Sequence, residues 1–142
     1  MQLQPYLFFD GRCEEAAQFY EKAVGATIGR LIRFKDSPDP SLCGSADSNK
    51  VMHMTMQIGD QTIMASDGQC QGSQTYQGFA LSLTVKGEAE ADRRFNALAE
   101  GGHVTQPLMK TFFSPRFGML TDRFGVSWMI HAAPAPHPAA GR

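Results

Sequence analysis

The sequence predicts an α+β protein built from two βαβββ modules, with curved sheets that form a cup. Three observations support this prediction. Several segments alternate apolar and polar residues with the period of a strand, and two segments repeat apolar residues with the period of a helix. The order of these elements in the first half of the chain recurs in the second. The 142 residues are enough for one domain with its own hydrophobic core.

The first module is predicted over about residues 1–67. Residues 12–24 carry an apolar stripe at helical spacing, and Gly25 is a typical helix end. Residues 51–58 alternate strictly between a Met/Ile face and a more polar face, which is the period of a half-buried strand. Gly59 and Asp60 then mark a hairpin. The predicted strands of this module are 3–9, 27–34, 51–58 and 61–66.

The second module is predicted over about residues 79–131. Its helix, over 88–100, carries three apolar residues on one side and ends before a glycine pair. Residues 132–142 are rich in Ala and Pro and are expected to form a disordered tail. The predicted strands are 79–85, 103–112, 117–121 and 126–131, and the predicted loops are 35–50 and 68–77.

The two helical segments also match residue by residue when 10–26 is laid over 86–102. Both begin at a glycine turn, place an acid in the first helical turn, bury one phenylalanine and stop at a glycine. This supports a duplicated module, with one helix on one face of each four-stranded sheet. The opposite faces are expected to enclose a cup, a natural place for a small molecule. The matched pairs are Gly11 and Gly87, Glu14 and Glu90, Phe19 and Phe95, Ala23 and Ala99, and Gly25 and Gly101.

Composition excludes several classes of partner. Thirteen basic residues against fourteen acidic ones provide no electrostatic footprint for nucleic acid or an anionic membrane. No apolar run is long enough to span a bilayer, and no secretory signal is recognisable. The cysteines contain no Cys-x-x-Cys pair, so neither a disulfide framework nor a structural zinc site is predicted and a cytoplasmic location is expected. The three cysteines are Cys13, Cys43 and Cys70.

The chain is rich in large, soft side chains. It has 10 Phe and 8 Met but 4 His. Such side chains either fill the core or line a mouldable apolar pocket.

Three short motifs accompany the paired βαβββ pattern: Phe-Phe-Asp-Gly at 8–11, Ala-Gln-Phe-Tyr at 17–20 and Asp-x-Phe-Gly-Val-x-Trp at 122–128. Together they resemble the vicinal oxygen chelate superfamily, which includes glyoxalase I, ring-cleaving dioxygenases and bleomycin-resistance proteins. The resemblance spans residues 1–131. It implies a fold of the glyoxalase and bleomycin-resistance type, and a homodimer.

Within that superfamily the chain resembles the PhnB-like branch. The segment from Asp10 to Ala16 resembles the start of its first helix, and residues 53–60 and 64–67 resemble its central hairpin. Relatives of this kind sometimes carry a ubiquinone-methyltransferase label. Because the sequence has no glycine-rich nucleotide loop, we do not predict that activity here.

The resemblance also implies where a metal would bind. Relatives use His, Glu or Gln at four strand positions, which fall here at Pro5, at Ser66 or Asp67, at Phe79 and at Met129. Pro, Phe and Met offer no oxygen or nitrogen side-chain ligand to a divalent ion, and Asp67 alone could coordinate one. The sequence therefore predicts no metal site and no cofactor.

Two polar residues are candidates for catalysis. His53 is either a structural imidazole or a general base near its ordinary pKa of about 6.5. Asp67 is either a turn-capping aspartate or the carboxylate partner of His53. The second interpretation is possible because neighbouring residues of a hairpin lie within reach of each other. Cys13 is either activated by the helix dipole or a buried packing residue.

Four further residues are candidates for ligand binding: Phe79, Met129, His131 and Arg116. His131 shares a strand face with Met129 by alternation, and its alternative interpretation is a surface histidine. Arg116 is either an anchor for an anionic ligand or a solvated loop residue.

Three functions therefore remain open. The first is metal-free binding of a small molecule in an apolar cup. The second is an enzyme of the same fold that uses Asp67 and His53, with a weakly held divalent ion. The third is a non-catalytic dimeric module whose cup is filled by Phe79 and Met129.

Overall fold

The computed structural model of the chain describes residues 1–36, 49–68 and 75–134. The chain divides into two compact units, Met1–Thr75 and Tyr76–Arg142. Each unit contains one α-helix and one four-stranded sheet, which confirms the prediction of two βαβββ modules. In the described part of the chain, no helix is both long and apolar enough to cross a membrane.

The first unit has the strand order β1-β4-β3-β2, with β1 parallel to β4 and the other pairs antiparallel. A single 3-10 turn, Phe34–Asp36, follows β2. The elements are β1 (Tyr6–Phe8), α1 (Cys13–Val24), β2 (Thr27–Arg33), β3 (Val51–Ile58) and β4 (Gln61–Ser66).

The second unit repeats this topology, with the order β5-β8-β7-β6 and β5 parallel to β8. The edge strand β6 pairs irregularly with β7, with two register shifts along its length. The elements are β5 (Leu81–Val85), α2 (Glu88–Ala99), β6 (His103–Met109), β7 (Phe117–Thr121) and β8 (Ser127–Ala132).

Both helices form where the apolar period predicts them. Helix α1 ends at Gly25, whose φ of 72° is left-handed and whose N–H donates to the Tyr20 carbonyl. The apolar stripe is buried at Ala16 and Tyr20, whereas Phe19 lies at its edge and is half-buried. Helix α2 buries one face that includes Phe95.

Each sheet has one face covered by the helix of its own unit. In the second unit, a Cβ on Gly118 would lie 2.6 Å from the Phe95 ring, so Gly118 faces α2. Ile130 pairs with Gly118 and therefore faces α2 as well. In the first unit, Leu7, Met54 and Ala65 lie side by side across three strands and are buried with the apolar stripe of α1.

Because strand side chains alternate, the intervening residues lie on the opposite face, which we call the helix-free face of each sheet. The first helix-free face carries Tyr6, Phe8, His53, Thr55 and Met64, and the second carries Ser82, Thr84, Phe117, Met119, Met129 and His131.

Strand ends differ from the predictions where side chains intervene. Strand β1 covers three residues, beginning after Pro5, which has no N–H to donate. Strand β6 ends at Met109 because buried Ser114 holds a turn with Thr111, whose N–H donates to the Ser114 carbonyl at 2.8 Å. Strand β8 includes Ala132, the first residue of the predicted tail. The rest of that tail from 135, His137, and the loop cysteines Cys43 and Cys70 lie outside the described residues.

Candidate functional site

The first helix-free face contains a histidine whose orientation is fixed by a phenol. The Tyr6 hydroxyl lies 3.0 Å from His53 Nδ1, and the two rings are 5.6 Å apart between centroids. Either group can donate in this bond: the phenol O–H to an unprotonated Nδ1, or Nδ1–H to the phenol oxygen, and the tautomer of the ring decides which. The Tyr6 bond occupies Nδ1, so Nε2 of His53 is the ring nitrogen left to bind a polar atom, as a donor or an acceptor.

Aromatic and sulfur side chains surround that pair. The Phe8 ring lies 5.0 Å from the Tyr6 ring, and these two side chains are 43% and 36% exposed. Met64 lies beside Tyr6 in the register of β4 with β1. The face thus offers a soft apolar surface with a hydrogen-bonding group at its centre.

Tyr6 was not among the residues predicted from the sequence. Tyr6 alternates with buried Leu7, and this alternation in the sequence is enough to place Tyr6 on the face opposite the helix. The alternation does not reveal that His53, two strands away, lies within reach of its hydroxyl.

The second helix-free face contains a similar group. The Thr84 hydroxyl lies 2.9 Å from His131 Nε2, and Phe117 is paired with His131 in the register of β7 with β8. Nδ1 of His131 is buried and has no hydrogen-bond partner among the described residues. A buried ring nitrogen without a partner is energetically unfavourable. Met129, also predicted to bind ligand, lies on the same face.

Asp67 has a different environment from the one the catalytic prediction requires. Its carboxylate accepts three backbone N–H bonds: Oδ1 from Gly11 at 2.7 Å and Cys13 at 2.9 Å, and Oδ2 from Val51 at 2.7 Å. The residue is 2% exposed. It fastens the start of α1 to the start of β3, on the helix side of the sheet. The carboxylate therefore has a structural role.

The structure does not bring Asp67 and His53 together. The hydrogen bonds described for the Asp67 carboxylate all come from backbone N–H groups, whereas the described bond of the His53 ring is to Tyr6. The predicted carboxylate–imidazole pair is thus replaced by a phenol–imidazole pair. The reason is that Asp67 follows β4 on the side of α1, and His53 lies on the opposite face.

The metal site implied by the resemblance does not fit these residues. Pro5 and Met129 have no hard donor, and Asp67 already accepts three N–H bonds in a buried position. Phe79 precedes β5 and is 48% exposed. Within residues 1–36, 49–68 and 75–134, no group of three or more His, Cys, Asp and Glu side chains is placed to hold a metal ion.

Arg116 lies away from the other predicted ligand-binding residues. Its Nε donates to Asp92 Oδ1 of α2 at 2.8 Å, on the helix side of the second sheet. Met129 and His131 occupy the other face of that sheet. The predicted set therefore does not form one cluster.

The motif at 122–128 is explained by a buried aspartate. Asp122 Oδ1 accepts N–H bonds from Phe124 at 2.8 Å and Val126 at 3.1 Å, and Oδ2 accepts one from Trp128 Nε1 at 2.9 Å. These bonds close the turn from β7 to β8 and fix the indole on the side of α2. The motif is structural.

Cys13 is fully buried at the start of α1. Burial raises the pKa of its thiol well above the usual value, and the nearby carboxylates of Asp67 and Glu14 raise it further. These effects outweigh the helix dipole, so the packing interpretation of Cys13 is favoured over the activated one.

We therefore expect the Cys13 thiol to resist alkylation. At pH 8.5 the thiolate fraction is very small because the pKa is raised, and the buried sulfur is shielded from reagent. Iodoacetamide treatment followed by mass spectrometry of the Cys13 peptide should show modification in urea and little in buffer. Equal rates of modification in the two conditions would contradict this prediction.

Comparison with known proteins identifies relatives along almost the whole chain. A sequence model described as 3-demethylubiquinone-9 3-methyltransferase matches residues 1–131. Protein YjdN of Escherichia coli K12 is 34% identical over 140 residues, which cover 92% of this chain and 95% of YjdN.

Two solved structures have the same fold with substantial identity. Protein PA1353 from Pseudomonas aeruginosa is 44% identical, with a TM-score of 0.82 over 94% of this chain and 98% of its own. A Bacillus cereus protein described as a putative 3-demethylubiquinone-9 3-methyltransferase, PhnB protein, is 30% identical, with a TM-score of 0.80 over 94% of this chain and all of its own. The fosfomycin resistance protein FosX from Listeria monocytogenes, at 13% identity and a TM-score of 0.63 over 94% of this chain and 92% of its own, shares the fold alone.

Proposed function

The chain belongs to the 3-demethylubiquinone-9 3-methyltransferase family, the PhnB-like branch of the vicinal oxygen chelate superfamily, and on that premise we propose that it binds a small molecule on the helix-free faces of its sheets, without a metal ion. The observation that carries the proposal is the Tyr6–His53 pair. It lies among half-exposed aromatic rings on a sheet face that the unit's own helix does not cover.

The chemistry of that face indicates the kind of ligand. The rings of Tyr6 and Phe8 suit a planar or apolar body, and Nε2 of His53 suits a hydrogen-bonding group of the ligand. On the second sheet, Met129 shares a face with the Thr84–His131 pair, so an apolar side chain again adjoins an imidazole bonded to a hydroxyl. We expect a small aromatic or otherwise apolar molecule with at least one hydrogen-bonding group.

A thermal-shift screen tests this proposal. The probes are small oxo-acids, glutathione adducts and aromatic antibiotics, with S-adenosylmethionine added because the family description names a methyl transfer. A ligand present at 100 times its Kd adds about 2.7 kcal/mol to the free energy of unfolding. A hit should lose most of that stabilisation in both His53→Ala and Tyr6→Phe.

His103→Ala is the matched control, because His103 is an exposed histidine at the start of edge strand β6. It should respond to the hit like the parent protein. If His53→Ala and His131→Ala both keep the full response, the proposed faces do not bind the ligand. Stabilisation by S-adenosylmethionine would favour methyl transfer instead, and stoichiometric metal in chelator-free protein would contradict metal-free binding.

A second candidate is an enzyme that transfers a proton through the same pair. The Tyr6–His53 hydrogen bond favours it, because an Nδ1–H that donates to the phenol oxygen leaves the lone pair on Nε2, which can then accept a proton from a bound substrate while Nδ1–H stays bonded to Tyr6. In this version His53 is the general base. The catalytic partner predicted from the sequence, Asp67, contributes only by holding β3 and α1 in place. Turnover of a screening hit that Tyr6→Phe slows without weakening binding would establish this candidate.

We also propose that the chain forms a homodimer, as the superfamily resemblance implies. Light scattering coupled to size exclusion tests this directly. A mass equal to the 15.6 kDa chain at micromolar concentration would contradict it.

A further inference from the structure

A concave surface lies on the helix side of the second unit, between α2 and edge strand β6. It is an open groove of about 560 Å³, a size in the range of small-molecule sites. It is separated from the helix-free face by the thickness of the sheet. Its lining includes Asp92, Phe95, Asn96, Val104, Leu108 and Arg116.

The floor of the groove is apolar and closely packed. Phe95 is 4% exposed and lies over Gly118, where a Cβ would lie 2.6 Å from its ring and 3.1 Å from Leu108 Cδ2. The absence of a side chain at Gly118 therefore lets the ring pack closely against the sheet. Val104, 44% exposed, extends this surface along β6.

One end of the groove carries an oriented arginine. Nε of Arg116 donates to Asp92 Oδ1 at 2.8 Å, which fixes the plane of the guanidinium. Among the described residues, its two Nη groups have no hydrogen-bond partner. The Nη pair is the edge of a guanidinium that binds a carboxylate through two parallel bonds.

We propose that this groove binds a small monocarboxylate with an apolar body, its carboxylate on the Nη pair of Arg116 and its body on Phe95 and Val104. Charge complementarity selects the ligand class. The carboxylate of Asp92 offsets part of the positive charge of Arg116, so a monoanion is favoured over a phosphate dianion. Asn96 is an exposed residue of the lining, and its side-chain amide offers a further hydrogen-bond donor in the groove.

The test is a titration of ¹⁵N-labelled protein with hexanoate and benzoate, with hexylammonium as the probe of opposite charge. Both carboxylates should give saturable shifts of the amides of Phe95, Asn96 and Val104, and hexylammonium should not. Arg116→Gln should weaken binding by about tenfold or more. Arg93→Gln removes an exposed arginine of α2 that does not line the groove and should bind like the parent.

Two further variants keep the test decisive if Arg116→Gln disturbs the fold. Arg116→Lys keeps the charge but loses the two-pronged geometry, and should bind with intermediate affinity. Val104→Asp places a negative charge on the exposed floor and should abolish carboxylate binding. Equal shifts with hexylammonium, unchanged affinity in Arg116→Gln, or shifts confined to the helix-free face would each overturn the proposal.

Discussion

Replacing Asp67 by asparagine should lower the free energy of unfolding by about 2–4 kcal/mol, because hydrogen bonds to charged groups contribute about 1.5–3 kcal/mol and a buried unsatisfied donor costs about 1–3 kcal/mol. The carboxylate accepts N–H bonds from Gly11, Cys13 and Val51. An asparagine side chain keeps one acceptor oxygen and turns its NH₂ group toward at least one of these donors. Asp67→Ala removes every acceptor and should cost more.

Urea unfolding followed by circular dichroism measures this loss. Asp60→Asn is the control, since Asp60 is an exposed aspartate in the turn between β3 and β4, and we expect its effect to be within about 0.5 kcal/mol. A loss of that small size for Asp67→Asn would show that the three amide bonds do not hold the unit together.

The same variant separates the two roles considered for Asp67. If Asp67 is structural, Asp67→Asn lowers the free energy of unfolding but leaves ligand affinity unchanged at temperatures where the variant is folded. If Asp67 is catalytic, the folded Asp67→Asn variant no longer turns over a substrate found by the screen. The arrangement of the three amides predicts the first outcome.

The second large effect is expected at Asp122. Asp122→Ala leaves the N–H groups of Phe124 and Val126 and the indole N–H of Trp128 without their acceptor. Because Asp122 is 3% exposed, we expect a loss of about 3 kcal/mol or more in the free energy of unfolding. The chain has one tryptophan, so its fluorescence reports on this turn directly. We expect a red shift of its emission as the loosened turn admits water.

A double-mutant cycle with Trp128→Phe, followed by circular dichroism, isolates the indole bond from the two backbone bonds. The coupling energy should be about 1 kcal/mol or more, because the bond joins a charged acceptor to a buried donor. A coupling near zero would mean that Asp122 acts only through Phe124 and Val126. Unchanged stability and emission in Asp122→Ala would contradict the structural interpretation of the motif altogether.

Most of the secondary structure could be predicted because it depends on short-range periodicity. The strand over 51–58 and the turn after it were predicted to the residue, and both helices to within one residue at each end. The exceptions have local causes that periodicity does not encode. Pro5 shortens β1, and the Thr111–Ser114 turn ends β6 before three predicted strand residues.

The candidate site could be predicted only in part. Alternation places His53 and His131 on the correct faces, and it gives no information on which side chain lies beside each ring. The sequence predicts the carboxylate of Asp67, a residue close in sequence, as the partner of His53. In the fold, the partner of His53 is Tyr6. The sequence predicts Arg116 as a ligand-binding residue together with Met129 and His131, whereas in the fold its side chain lies beside α2.

By itself, the sequence determined the two-module architecture and the faces of the strands, because these depend on periodicity within each element and on the repeat of the elements. The resemblance to the superfamily implied the metal-ligand positions, and residue type alone then showed that Pro5 and Met129 match them poorly. The tertiary structure decided the partners. Each site histidine bonds a hydroxyl 47 residues away along the chain, and each bond depends on the parallel pairing of the first and last strands of its sheet. The register of such distant strands is set by packing across the whole unit, which no local pattern of residues specifies.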